Sequence, residues 1–383
     1  MSYHGRFESR RPKRRKRPGK IILIIVAVLL VLVIGAIIAG VVYYNSVLGK
    51  MNHVEVPKIQ YTTAPTDLLA DPTDAETEAA ETTEPVPTET TEPPHVASSE
   101  DYINILVVGQ ASRAGETANS ERMADTAIIC TINTYEKTLT LTSLLRDSLV
   151  RPPNFKGHEF GKIKLTTVYH LGSYYSKGEI AGSMELMNLT LFSNFGVEID
   201  HNFEVDFDMF IKVIDLMNGV TVNLTQEEAD YLNANDAWVC YDVQPGWFHL
   251  DGSGALCYAR MRKAEGDNDS DIKRTARQRH LIESIIFGLK QLSLSEINAI
   301  VDEIMPMITT SMTPAEITDL VVKLLPMLPE LKIQTGGTCP VQGTYKGAEV
   351  DIYKDGMYHS VLEFEVPQQK KLMRALTLGE ITE

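Results

Sequence analysis

Between Arg260 and Arg279 the chain carries Arg260, Arg262, Arg274, Arg277, Gln278 and Arg279. The planar guanidinium fork grips phosphate through paired hydrogen bonds, a geometry no other side chain supplies. Cations this dense repel one another, and a bound polyanion is one way to relieve the repulsion. The segment points to a phosphorylated ligand.

The stretch Asp271–Leu292 reads as a long helix, with Ile282, Ile285, Ile286 and Leu289 on one stripe. On that helix Arg274, Arg277 and Gln278 stand at i, i+3 and i+4 and share a face, with Asp271 one turn earlier. Arg260 and Arg262 are two residues apart, so an extended chain would send both to one side. An extended segment is expected there. The competing reading is a solvated basic face paired with Glu265, Asp267 and Asp269.

Two smaller constellations accompany it. Arg146-Asp147 closes the run Leu139–Leu145, at a strand end, where open α/β sheets place ligands. Alone, that pair reads as a strand-end ion pair. Asp125 precedes a strand beginning at Thr126 and follows Arg122. Its carboxylate suits Mg²⁺ beside a phosphate, or it simply ends a loop.

The elements that would position these groups alternate. Ile103–Val108, Thr126–Thr131 and Leu139–Leu145 read as strands, with a turn near Asn133–Lys137. Ile180–Phe195 has helical spacing and stops at Gly196. A helix over Met209–Met217 ends at Asn218-Gly219 and leads to a strand at Val220–Leu224. Thr225 and Glu228 form a capping-box pattern. Asp251–Tyr258, Ser293–Met305 and Pro314–Leu325 read as helices, and Lys332–Gln334 and Ala348–Tyr353 as late strands. The alternation predicts an α/β domain with helices on a central mixed sheet.

The charge is split unevenly along the chain. Residues 1–20 hold nine Lys/Arg and one Glu, and Ile21–Val42 follows with no charge. At ~1.5 Å per residue such a run spans the ~30 Å hydrocarbon core. It is too long for the ~7–15-residue apolar core of a signal peptide. A basic cytoplasmic tail (1–20), one transmembrane helix (21–43) and an extracytoplasmic remainder are expected. Residues 44–100 form a stalk, largely disordered from 60 on; Gln60–Glu100 holds ten acids and no Lys or Arg. From Asp101 on the net charge is −14, which disfavours nonspecific nucleic-acid binding. Cys130, Cys240, Cys257 and Cys339 lack zinc-site spacing; Cys130 and Cys257 lie in apolar runs and are expected as buried thiols.

Taken together these motifs resemble the LytR–CpsA–Psr family of cell-envelope enzymes. The resemblance runs from about Asn104 to Leu292. It rests on Asn104–Gly109 into Ser112-Arg113, Arg122–Asp125-Thr126, Ser143–Ser148, Lys164–Gly172, Val205-Asp206-Phe207, Ile214-Asp215 with Gly219-Val220, Ala255–Arg262, and Asp271–Gln278. It implies a three-layer α/β/α sandwich over 101–292, its interior holding a lipid tail. Residues 293–383 stand outside it as a C-terminal helical and strand extension to which the resemblance assigns no role. The implied activity is a phosphotransferase that moves an anionic glycopolymer, such as teichoic acid or capsule, from a polyprenyl-pyrophosphate carrier to peptidoglycan, with Mg²⁺ or Mn²⁺.

Position by position, the resemblance implies head-group contacts from Arg146, Arg260, Arg262, Arg274 and Gln278. It implies a metal ligand at Asp125 and supporting acids at Asp147 and Asp271. Lys164, Arg277, Arg113 and Arg122 join the pyrophosphate-binding set, and Asp125, Arg146, Asp147 and Arg262 form the catalytic set. One departure is Ala111, where the family usually has an Asp that ligates metal; Glu116, Glu121 or Asp147 would have to replace it, or metal affinity is weak. The open alternatives are a non-catalytic binder of the same lipid, a pyrophosphate hydrolase, and a scaffold for a synthase.

Overall fold

The structure, a computed structural model, describes residues 46–59, 61, 99–110, 123–234, 239, 241–261, 270–324, 326–327, 329–354 and 356–379. The basic tail, the expected membrane span and most of the stalk lie outside the described residues. Among the described residues no helix is long and apolar enough to cross a membrane. The chain divides into two compact units, 1–49 and 50–383. Of the first, residues 46–49 are described and close a helical turn.

The second unit is built on strands β1 (Asn52–His53), β2 (Tyr102–Gln110), β3 (Ala124–Asn133), β4 (Thr138–Leu144), β5 (Leu149–Val150), β6 (Ile163–Lys164), β7 (His201–Val205), β8 (Val220–Leu224), β9 (Gly246–Leu250), β10 (Thr309–Thr310), β11 (Lys332–Cys339), β12 (Tyr345–Val350) and β13 (His359–Phe364). The central sheet has the order β1-β10-β7-β2-β3-β4-β11. It is mixed: β2, β3 and β4 are antiparallel neighbours, while β7 pairs parallel with β2 and β11 parallel with β4.

Side chains alternate across these strands, and both faces are apolar. Leu106, Val108, Ala127 and Ile129 face a core with Leu165, Val168, Leu191, Phe195 and Met373, from the helices Leu165–Tyr175, Ile180–Phe195 and Val366–Leu378. Ile105, Val107, Ile128 and Cys130 face Ile282, Ile286, Leu320 and Leu324, from the helices Ser270–Leu289 and Pro314–Leu324. The expected helix–sheet–helix layering is present. Two glycines matter to it. A Cβ on Gly172 would run into the Gly182 carbonyl, so the first two helices meet backbone to backbone. Gly196 closes Ile180–Phe195 at φ 69°, a left-handed cap that glycine adopts without strain.

A second lobe packs against the long helix Ser270–Leu289. Its hairpin of β8 and β9, and the helices Phe207–Leu216, Gln226–Asn233 and Gly252–Arg260, bury Ile214, Leu250, Ala255 and Tyr258 around Leu281. Between this lobe and the sheet lies a 270 Å³ cavity, lined by Val107, Ile128, Phe210, Leu256, Leu281 and Ile285 among others.

The boundary expected at 292 does not divide the fold. Segment 293–383 supplies β10 and β11 to the central sheet, and Val366–Leu378 covers Ile180–Phe195. The late strand expected at Lys332–Gln334 runs on to Cys339. That expected at Ala348–Tyr353 is β12, which pairs with β13 outside the central sheet. The strand β7 and the helix Leu165–Tyr175 were not expected from the sequence.

Candidate active site

Backbone irregularities aim the key side chains. In the β2–β3 ladder Gly109 pairs with Thr126 but Gln110 pairs with Ala124, so Asp125 is the extra residue of a bulge. Bulges next to active sites re-aim a side chain in this way. Past the end of β4, Ser148 N donates to Leu145 O at 3.1 Å, which makes Arg146 and Asp147 the centre of a tight turn. Lys164 ends β6 and precedes the helix Leu165–Tyr175. Asp271 lies in the first turn of the long helix, where the macrodipole favours an anion.

These elements converge on Arg146. Its Nη1 lies 3.0 Å from Asp125 Oδ1, and its Nε is 3.5 Å from Asp147 Oδ2 and 3.6 Å from Asp271 Oδ1. Lys164 Nζ donates to Asp147 Oδ1 at 2.8 Å. Arg274 Nη2 reaches Asp271 Oδ1 at 3.0 Å and the Asp125 carbonyl at 3.2 Å. The carboxylates interleave with the cations, so mutual repulsion among the cations is already relieved without a ligand. Arg274 is buried, with 4% of its side chain exposed, whereas Asp125 is the most open of the group at 40%. Arg146 Nε is buried and makes no hydrogen bond among the described residues. A buried donor left in that state is costly, and an incoming anion would satisfy it.

The cluster adjoins the cavity through Thr126, which follows Asp125, and Gln278, one turn after Arg274; both line it. Arg260 ends the helix Gly252–Arg260 and lines the cavity, its guanidinium 4.7 Å from the Phe207 ring centre. That geometry is a cation–π contact. The extended chain expected at Arg260–Arg262 begins only at Met261, which adopts ψ 122°. Gln278 lines the same cavity; its Nε2 donates to Thr126 Oγ1 at 2.9 Å and to the Ala259 carbonyl at 3.3 Å.

Asp125, Arg146, Asp147, Lys164, Asp271 and Arg274 are thus brought together, with Arg260 and Gln278 on the cavity side. Arg277 is not part of this group. Its Nε donates to Glu228 Oε1 at 2.7 Å and its Nη1 to the Met261 carbonyl at 3.1 Å, both pointing into the second lobe. Arg279 donates to Ser143 Oγ at 2.6 Å and is buried on the sheet side. Arg113, Arg122, Arg262, Ala111, Glu116 and Glu121 lie outside the described residues. Thr126 and Glu228 were missed as partners. The capping pattern exposed Glu228 in the sequence, but nothing marked its arginine 49 positions away.

Mg²⁺ binds oxygen donors and commonly takes one or two carboxylates together with phosphate oxygens and waters. Asp125, open and oxygen-only, fits that donor set. Among the described residues no three His, Cys, Asp or Glu side chains form a ready metal cage.

A family model described as "LytR_cpsA_psr family" matches residues 70–363. The polyisoprenyl-teichoic acid–peptidoglycan teichoic acid transferase TagT of Bacillus subtilis is 31% identical over 195 residues, covering 50% of this chain and 54% of TagT. The chain spans about half the length of the curated relatives it matches. A structure described as "TagT bound to LI-WTA" aligns with a TM-score of 0.53 at 23% identity, over 76% of this chain and 95% of that one. TagT with bound octaprenyl pyrophosphate lipid aligns at 0.50 and 21% identity, over 76% and 95%. At these identities the structural likeness speaks for the fold.

Proposed function

The chain belongs to the LytR–CpsA–Psr family, and we propose that it is a membrane-anchored phosphotransferase working outside the cytoplasm. It moves an anionic glycopolymer from a polyprenyl-pyrophosphate carrier to a hydroxyl of peptidoglycan. The apolar run Ile21–Val42 holds it in the cell membrane by a single crossing, with the N-terminus cytoplasmic. The observation that carries the reading is a largely apolar cavity whose lining includes Arg260 and Gln278, next to the interleaved cluster around Arg146.

The cavity walls take part of the isoprenoid tail and exclude water from it. Arg146, Arg260 and Arg274, joined by Arg262, grip the diphosphate, and the N-terminus of the long helix adds its partial positive charge. The acceptor hydroxyl attacks the phosphorus that bears the glycan, and the bond from that phosphorus to the bridging oxygen breaks. The lipid phosphate leaves on that oxygen, and the arginines offset its growing charge. Asp147, held by Lys164 at 2.8 Å, accepts the hydroxyl proton. A Mg²⁺ ion held by Asp125 would neutralise phosphate oxygens.

Replacing Arg146 tests the assignment. Arg146→Ala should lower transfer of lipid-linked glycopolymer to peptidoglycan by ~10²-fold or more, with the thermal midpoint close to that of the unchanged chain. Transfer at the original rate would refute it.

A further inference from the structure

The stretch 151–178 differs from its surroundings. It holds Arg151, Lys156, Lys162, Lys164 and Lys177 against Glu159 alone, a net of +4, in a chain that is −14 from Asp101 on. It also carries a surface cluster of rings. The His158 and Tyr175 ring centres are 3.9 Å apart, Phe160 and Tyr175 5.5 Å, and Tyr174 and Tyr175 5.1 Å at 90°. Tyr174 is 67% exposed, and His158 and Lys177 are also exposed. Core packing does not account for an open tyrosine buttressed by other rings.

Local hydrogen bonds fix the loop beside the rings. Phe155 and His158 exchange backbone hydrogen bonds of 3.0 and 2.9 Å. Between them Lys156 and Gly157 take positive φ values of 50° and 83°, as a tight hairpin turn requires. Lys156 Nζ then donates to Ser176 Oγ at 2.8 Å, tying the loop to the helix end. Glu185, from the next helix, adds one carboxylate near Lys156. Rings held in advance lose little entropy when a ligand stacks on them.

We infer that this platform, Tyr174 and His158 with the lysines around them, docks the acceptor glycan strand of peptidoglycan. The inference rests on the transferase reading and adds to it where the acceptor lies. Sugar rings present apolar C–H faces that suit an open aromatic face, and the peptide stems of peptidoglycan carry carboxylates that suit the lysines. The side of approach distinguishes acceptor from donor. The cavity for the lipid is lined by Val107 and Ile128, on one face of the sheet. The helix Leu165–Tyr175 covers the other face, against Leu106 and Ile129. Displacement at phosphorus runs in line, so the nucleophile enters opposite the leaving lipid phosphate. That is the side of Lys164 and its helix, and Tyr174 stands ~15 Å along that helix from Lys164.

The experiment uses the full chain in detergent and two probes: peptidoglycan sacculi stripped of attached polymer, and octaprenyl pyrophosphate. Tyr174→Ala should weaken sedimentation with sacculi by about tenfold and raise KM for the acceptor with kcat held, while octaprenyl pyrophosphate affinity and thermal midpoint stay unchanged. Lys177→Glu should weaken sacculus binding in the same direction. Trp247→Ala, at an exposed ring on β9, should leave sacculus binding as it was. Unchanged binding by Tyr174→Ala overturns the platform, as does equal loss in Trp247→Ala, which would mark general adsorption to rings. A chain that holds sacculi through Tyr174 yet transfers nothing supports the platform and overturns the transferase reading instead.

Discussion

Arg277 and Glu228 form a buried ion pair, Nε to Oε1 at 2.7 Å, with side chains only 6% and 10% exposed. It joins the long helix to the helix Gln226–Asn233, whose capping box also uses Glu228. Breaking a buried pair leaves the other charge stranded, at a cost of ~3–5 kcal/mol. Arg277→Ala should therefore lose about that much stability in denaturant unfolding, yet bind octaprenyl pyrophosphate normally when folded. Loss of lipid affinity at full stability would return Arg277 to the head-group set.

One substitution at Asp125 separates a cation-holding role from a purely charge-balancing one. If it holds a divalent cation, Asp125→Asn should weaken Mn²⁺ binding to the chain carrying octaprenyl pyrophosphate, measured by calorimetry, and slow transfer. If it only balances Arg146, 3.0 Å away, cation binding should stay constant. Octaprenyl pyrophosphate would then bind more tightly, because a competing carboxylate has lost its charge.

What the sequence conveyed depended on whether the side chains inside were apolar. The strands β2, β3 and β4 were legible because apolar residues fill them. The strand β7 was not: its more buried positions are Asn202 and Glu204, 2% and 9% exposed. Tyr169 Oη donates to Glu204 at 2.7 Å, so the inward carboxylate is met by a helix that was itself missed. That helix opens on Thr166-Thr167-Val168, a β-branched run that disfavours helix, and Lys164 gives it no side-chain cap. At the site, residue types and spacing singled out Arg146, Asp125 and Arg274. The bulge that aims Asp125 and the turn of Arg277 into the second lobe come from pairings across the fold, which spacing along the chain does not encode.

His201 gives the fold a pH dependence of predictable sign. Burial lowers its pKa from the usual 6.5, opposed by Asp200 and Glu316 and assisted by Lys58. The neutral ring is favoured in the folded chain. Its contribution is fully present above pH ~6.5 and is lost as pH falls below it, because the unfolded chain takes up the proton first. Thermal midpoints from pH 8 to pH 5 should fall less steeply for His201→Gln than for the unchanged chain. Parallel curves would remove His201 as the source.

The C-terminal segment holds the Arg146–Asp147 turn from both sides. Leu145 N donates to the Cys339 carbonyl at 2.8 Å, just before Arg146, and Leu362 N donates to the Asp147 carbonyl at 2.9 Å, just after it. The strand β11 runs beside β4 from Thr138 to Leu144, so removing it would bare a long sheet edge. A chain ended at Leu331 should fail to unfold cooperatively by circular dichroism and should not bind octaprenyl pyrophosphate. Leu362→Pro is gentler: it removes one donor to the turn and disturbs one position of the β12–β13 hairpin, where Leu362 pairs with Gly347. It should keep most of the melting transition while transfer falls about tenfold or more, because a small misplacement of Arg146 and Asp147 is enough to lose alignment with the phosphorus. Full transfer by Leu362→Pro would mean that the turn holds its shape without the clamp, and that the last fifty residues serve stability alone.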